Sequence, residues 1–107
     1  MQLSDGRLYA NIRPYVGWTG QQHVRLKAYS SDEGATWAHA EAEPALPDAS
    51  PGEDEGSVVG DPDNKVVYFV HPFGDARANL TVWRSRDDAA TWPDTINVYS
   101  GEWRHAC

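Results

Sequence analysis

The groups in this sequence able to do chemistry are sixteen carboxylates, nine basic side chains, four histidines and one cysteine, and their spacing removes most of the chemistry they could support. Cys107 is the sole cysteine, so the chain can form neither an internal disulfide nor a cysteine-ligated metal centre. His23, His39, His71 and His105 lack the close spacing of zinc ligands. Glu53, Asp54 and Glu55 sit in a Pro- and Gly-rich stretch and read as a solvated loop, not as a general acid and its partner. No metal and no organic cofactor is implied. The basic residues are scattered through a chain of net charge −7, which argues against nucleic acid, since a phosphate-binding face needs clustered Lys and Arg. An acidic total still leaves room for one small anionic ligand. A few arginines converging in a cleft hold a carboxylate even on an acidic protein, because guanidinium stays charged and pairs bidentately. Read alone, Arg13, at the end of an alternating segment, is a solvent-facing arginine, and Arg77, after a Gly-Asp turn, is a loop arginine paired with Asp75.

Two octapeptides repeat. Ser30 to Trp37 reads SSDEGATW, Ser85 to Trp92 reads SRDDAATW, and both fit S-x-D-x-(G/A)-x-T-W at a separation of 55 residues. The chemistry of the pattern is that of a turn. Asp32 and Asp87 accept backbone N–H groups as in an Asx-turn. Ser30, Thr36, Ser85 and Thr91 close side-chain bonds across it, and Trp37 and Trp92 fold back as apolar lids. Gly34 suits a positive φ; Ala89 at the matching position would be strained there. A metal reading of Asp32 or Asp87 fails for want of nearby oxygen ligands.

The elements that must carry these residues are short strands. Arg7 to Arg13, His23 to Tyr29, Lys65 to Val70, Asn79 to Ser85 and Thr95 to Tyr99 alternate or run apolar between turns. In the second, Val24, Leu26 and Ala28 share one face and Arg25, Lys27 and Tyr29 the other. Glu43 to Gly56 reads as a loop from its Pro, Gly and acid content. No segment has a helical period, and no run of about 20 apolar residues spans a membrane. Met1 to Ala10 has no signal-peptide pattern. Five Trp, five Tyr and two Phe give the chain too much to bury for a disordered tail. Repeats at this period mean stacked units that share a core, which favours an all-β propeller, sandwich or barrel.

With these residues in view the chain resembles the sialidases. SSDEGATW and SRDDAATW are similar to Asp-boxes, which other propellers also carry. Leu3 to Arg13 (LSDGRLYANIR) resembles the strand bearing the second arginine of the substrate-binding triad, and His71 to Ser85 (HPFGDARANLTVWRS) the entry bearing the third. LPDASPGEDEGSVV resembles the loop and strand between them, with Ser57 near the cleft. The resemblance covers residues 2 to 101 and is nearest to animal lysosomal and bacterial exo-α-sialidases; residues 102 to 107 diverge.

The resemblance implies about two blades of a six-bladed propeller, with Arg13 and Arg77 gripping the carboxylate of a sialylated glycan. It implies the remaining blades as partners, and a lysosomal or secreted location. Asn79-Leu80-Thr81 is an N-glycosylation sequon that fits such a location. Sialidases attack with a tyrosine activated by a glutamate, because a carboxylate nucleophile would be repelled by the substrate's own. The first arginine and the acid/base aspartate belong to earlier blades, the glutamate would precede Gln2, and His105 stands where the tyrosine is expected. The expectation is therefore a binding fragment without turnover of its own. The alternative is a propeller module that recognises glycan or protein and never hydrolyses.

Overall fold

The computed structural model describes residues 1–13, 24–47, 56–72 and 78–100. The strands are β1 (Leu8–Ile12), β2 (Val24–Ser30), β3 (Glu41–Pro47), β4 (Ser57–Asp61), β5 (Val66–His71), β6 (Leu80–Ser85) and β7 (Asp94–Tyr99). A single 3-10 turn, Pro62–Asn64, links β4 to β5, where Pro supplies the fixed φ of its first residue. The chain is all-β, as its alternation requires. Two antiparallel sheets form in sequence order, β1-β2-β3 and β4-β5-β6-β7.

The first sheet has a short fourth member. Met1 and Tyr9 exchange backbone hydrogen bonds, each 2.8 Å, and Leu3 N–H donates to the Arg7 carbonyl at 2.8 Å. These bonds lie on the edge of β1 away from β2, so Met1 to Leu3 occupies the place that β4 holds beside β5. The turn between them is closed by Gly6 at φ +89 and by Asp5, which accepts from the Arg7 backbone and guanidinium. Those bonds hold the Asp5 carboxyl below its ordinary range.

The sheets pack on each other through Leu3, Tyr9, Leu46, Val67, Phe69, Ala89 and Trp92. Met1 fills the space over Gly60, where any β-carbon would clash with its methyl group. Ser4 N–H and Oγ both donate to the Asp88 carboxylate, tying the first turn of one sheet to the last turn of the other. That bond fixes orientation: the turns preceding β1, β5, β3 and β7 share one rim, and the end of β1, the start of β2, the end of β5 and the start of β6 lie at the opposite rim.

One expectation is corrected. Residues 43 to 47 are strand, not loop, because β3 is required to close the edge of β2. Leu46 is buried in the core, and the Pro-rich composition is accommodated at a bulge between Val24 and Arg25, where the pairing register shifts. Proline at a sheet edge loses no ladder bond.

Candidate functional site

β1 carries its side chains alternately to its two faces. Tyr9, Asn11 and, one step beyond the strand, Arg13 belong to the side that faces the second sheet. Arg13 is exposed at the rim opposite the repeated turns. The register pairs Ile12 with Leu26, which brings Arg25 to the neighbouring position on β2. Arg25 is only 2% exposed. Its Nε donates to Asn11 Oδ1, and its guanidinium lies 4.9 Å from the Phe69 ring centre, so a cation–π contact offsets part of its lost hydration. Asn11 Nδ2 in turn donates to the Tyr9 hydroxyl at 3.1 Å. On the same strand as Arg25, Lys27 Nζ is 3.0 Å from Glu43 Oε2 of β3.

This seam has a definite charge state. Burial pushes the Tyr9 phenol up to about 12, so it is neutral at physiological pH and acts as a hydrogen-bonding spacer, not as a phenolate nucleophile. For Lys27, burial opposes the charged form, but the Glu43 carboxylate overrides it and raises the ammonium above its ordinary value. Arg13, Arg25 and Lys27 lie along one face, with Glu43 opposite Lys27. Sequence reasoning singled out Arg13 and passed over Arg25. Alternation placed Arg25 with Lys27 and Tyr29, but nothing in β2 alone says that this polar face is the covered one.

Arg77 falls in the β5–β6 connection and lies outside the described residues, as do His23, Glu53, Asp54, Glu55, His105, Cys107 and the divergent tail. The strand ends flanking Arg77 are described. His71 is buried at the end of β5, its ring 4.7 Å from that of Phe69 and stacked on Trp83 at 6.1 Å. Asn79 takes φ 54, and its carbonyl accepts from Thr81 Oγ1 at 2.7 Å. Ser57 starts β4 and is exposed.

The two repeated turns occupy the other rim, between β2 and β3 and between β6 and β7. Their serine, aspartate and threonine bonds match one for one. Ser30 Oγ donates to Asp32 Oδ1 at 2.8 Å and accepts from Gly34 N–H at 2.9 Å; Ser85 does the same with Asp87 and Ala89 at 2.8 and 2.9 Å. Asp32 accepts from Thr36 N–H at 2.8 Å and from its hydroxyl, and Asp87 likewise from Thr91. The donors hold both carboxyls below their ordinary range, at Asp87 against a partial burial that pulls the other way. Every carboxylate oxygen is spent within the turn, and among the described residues no group of acidic, His or Cys side chains is placed to hold a metal. Gly34 and Ala89 both have positive φ, +90 and 67, as do Glu33 and Asp88 before them. The second turn keeps the geometry of the first, with the strain expected at Ala89 absorbed in place rather than relieved by distortion.

No model of a known protein family matches the sequence, and no curated protein matches it. Among solved structures, the chain is similar to the intramolecular trans-sialidase from Ruminococcus gnavus, solved in complex with oseltamivir carboxylate. The superposition has a TM-score of 0.70 at 18% identity and covers 94% of this chain. It covers 22% of that protein, so the chain spans about a fifth of its length. The architecture is therefore sialidase-like: two antiparallel sheets set against each other as neighbouring blades of a partial β-propeller. No helix among the described residues is long and apolar enough to cross a membrane.

Proposed function

We propose that this chain is the arginine-bearing segment of an exo-α-sialidase, contributing Arg13 and Arg77 to the grip on the carboxylate of a terminal sialic acid. The observation that carries this reading is topological. The end of β1 that bears Arg13 and the described ends of β5 and β6, between which Arg77 falls in sequence, lie at one rim, opposite the two repeated turns. Two guanidinium groups brought to one rim would suit a bidentate anion. The hydrolytic step requires an acid, a nucleophile and its activating base, and none of these is assigned to a residue of this segment. Hydrolysis of glycoprotein or glycolipid sialosides, in a lysosomal or secreted setting with Asn79 glycosylated, is the activity of the assembled propeller to which such a segment would contribute.

Ligand-observed NMR with free sialic acid tests the reading. Weak binding is expected, reduced about tenfold or more by Arg13→Ala or Arg77→Ala, since hydrogen bonds to charged groups contribute roughly 1.5–3 kcal/mol. The chain alone is expected to release nothing from a fluorogenic sialoside. Binding that is indifferent to both substitutions would sink the arginine assignment. Arginine-dependent binding in a complete propeller that never cleaves sialosides would instead favour a non-catalytic recognition module.

A further inference from the structure

Arg25 is an expensive residue for its position. It is buried on the face of β2 that the second sheet covers. Burying a guanidinium costs free energy that directed partners must offset, and an apolar side chain of similar volume would fill the same space as well or better. Two of its contacts lie on different sheets. Its Nε–H donates to Asn11 Oδ1 on β1, and its guanidinium lies 4.9 Å from the centre of the Phe69 ring on β5.

Both contacts fall next to the strand ends that concern the two arginines. Asn11 precedes Arg13 by two residues and shares its face of β1. Phe69 precedes His71, the last residue of β5, by two, and Arg77 follows in sequence. Each partner is itself held. Asn11 Nδ2 donates to the hydroxyl of Tyr9, a buried ring with those of Tyr29 and Trp92 at 5.5 and 6.4 Å. Phe69 lies over the bare backbone of Gly56, where any β-carbon would collide with its ring, and His71 packs against it at 4.7 Å. A planar guanidinium with a rigid donor fork fits one arrangement of two such partners, where a flexible apolar chain fits many.

We propose that Arg25 is a positioning residue: a clamp between the sheets that sets the end of β1, and with it Arg13, against the end of β5. Arg25 touches no ligand in this role. It acts through Asn11 on one side and Phe69 on the other, so that the rim keeps one spacing. The consequence for a bound carboxylate rests on the sialic acid reading above; the clamp itself does not.

A nitroxide at position 13 tests the clamp without ligand. It is attached through Arg13→Cys in a Cys107→Ser chain, and its broadening of the His71 and Leu80 amide signals is read by NMR. Arg25→Met and, separately, Phe69→Leu are each expected to alter that broadening while circular dichroism keeps the parent's strand content. Unchanged broadening with either substitution overturns the proposal. If Arg25→Met does not fold, Arg25→Lys, which keeps the charge and loses the Nε donor, takes its place. Titration with free sialic acid then separates positioning from general support of the fold. Arg25→Met should weaken binding about fivefold when Arg13 is present and less than about twofold beside Arg13→Ala, because residues that act through one another are not additive. Equal weakening in both backgrounds overturns the positioning role. A parent chain that binds no sialic acid removes the sialoside reading, and the broadening alone then decides the clamp.

Discussion

The repeated turns at Ser30–Trp37 and Ser85–Trp92 share a pattern, a hydrogen-bond network and a backbone path, yet Trp92 is in the core and Trp37 is half in solvent. The difference teaches that the octapeptide builds its own shape and has no say in the fate of its tryptophan. Turn geometry is local, closed by serine, aspartate and threonine within eight residues. Burial depends on whether a neighbouring sheet presents a surface such as that around Tyr9. Even the indole reflects this: Trp37 Nε1 donates to the Gly34 carbonyl at 3.2 Å within its own turn, whereas Trp92 lies against Tyr9 of the other sheet.

Alanine at the two tryptophans is the strongest way to break the comparison. Trp92→Ala should cost about 3–5 kcal/mol, the range for emptying a buried aromatic site. Trp37→Ala should cost about 1 kcal/mol or less, as its burial is half lost already. Urea denaturation followed by tyrosine fluorescence reads both, and equal losses would show that the turns differ less than their packing suggests. Gly34→Ala comes next. A β-carbon there meets only ordinary contacts with Leu8 and Trp37, so the φ of +90 is the obstacle, and a loss of about 1–2 kcal/mol is expected from the left-handed penalty.

Acid sharpens the likeness instead of the contrast. Asp32 and Asp87 both lie below their ordinary value of 3.8 when folded. Near that pH the unfolded chain binds more protons than the folded one, so the stabilisation is fully present above it and drains away as pH falls through the depressed folded values. Asp32→Asn and Asp87→Asn cannot accept the threonine hydroxyl through the amide nitrogen. Each should lower stability at pH 7 and flatten its fall between pH 5 and 3, which denaturation midpoints at several pH values would reveal. A fall as steep as the parent's would remove the carboxylates from the explanation. The smallest change is expected for Ala89→Gly, within about 1 kcal/mol of the parent, because relief at φ 67 is offset by a more flexible unfolded chain and a lost buried methyl.

Much of the fold was legible because its signals are local. The five alternating segments are strands to within a residue or two, and the S-x-D-x-(G/A)-x-T-W pattern states its own bonds. β3 was hidden, since Glu41–Pro47 alternates poorly and its prolines argue for loop; only the need of β2 for a partner makes it a strand. The candidate site was legible by half. The strand reading put Arg13 at the end of β1, where the structure has it, while its role rests on the resemblance; Arg25 was passed over. A polar stripe of Arg25, Lys27 and Tyr29 looks like the solvent face of a two-faced strand. It is instead the covered face, because Phe69 and Asn11 receive the guanidinium from outside β2. Whether a strand's polar side is turned outward is decided by elements distant in sequence.

The contact between Trp92 and Tyr9 also has a place in time. Trp92 follows Tyr9 by 83 residues, and Asp88 follows its partner Ser4 by 84. At ribosomal rates of about 5–20 residues per second, the first sheet waits on the order of 4–17 s after Tyr9 is made before its cover is synthesised. Through that interval the nascent chain carries the aromatic face around Tyr9 without the second sheet that covers it in the folded chain.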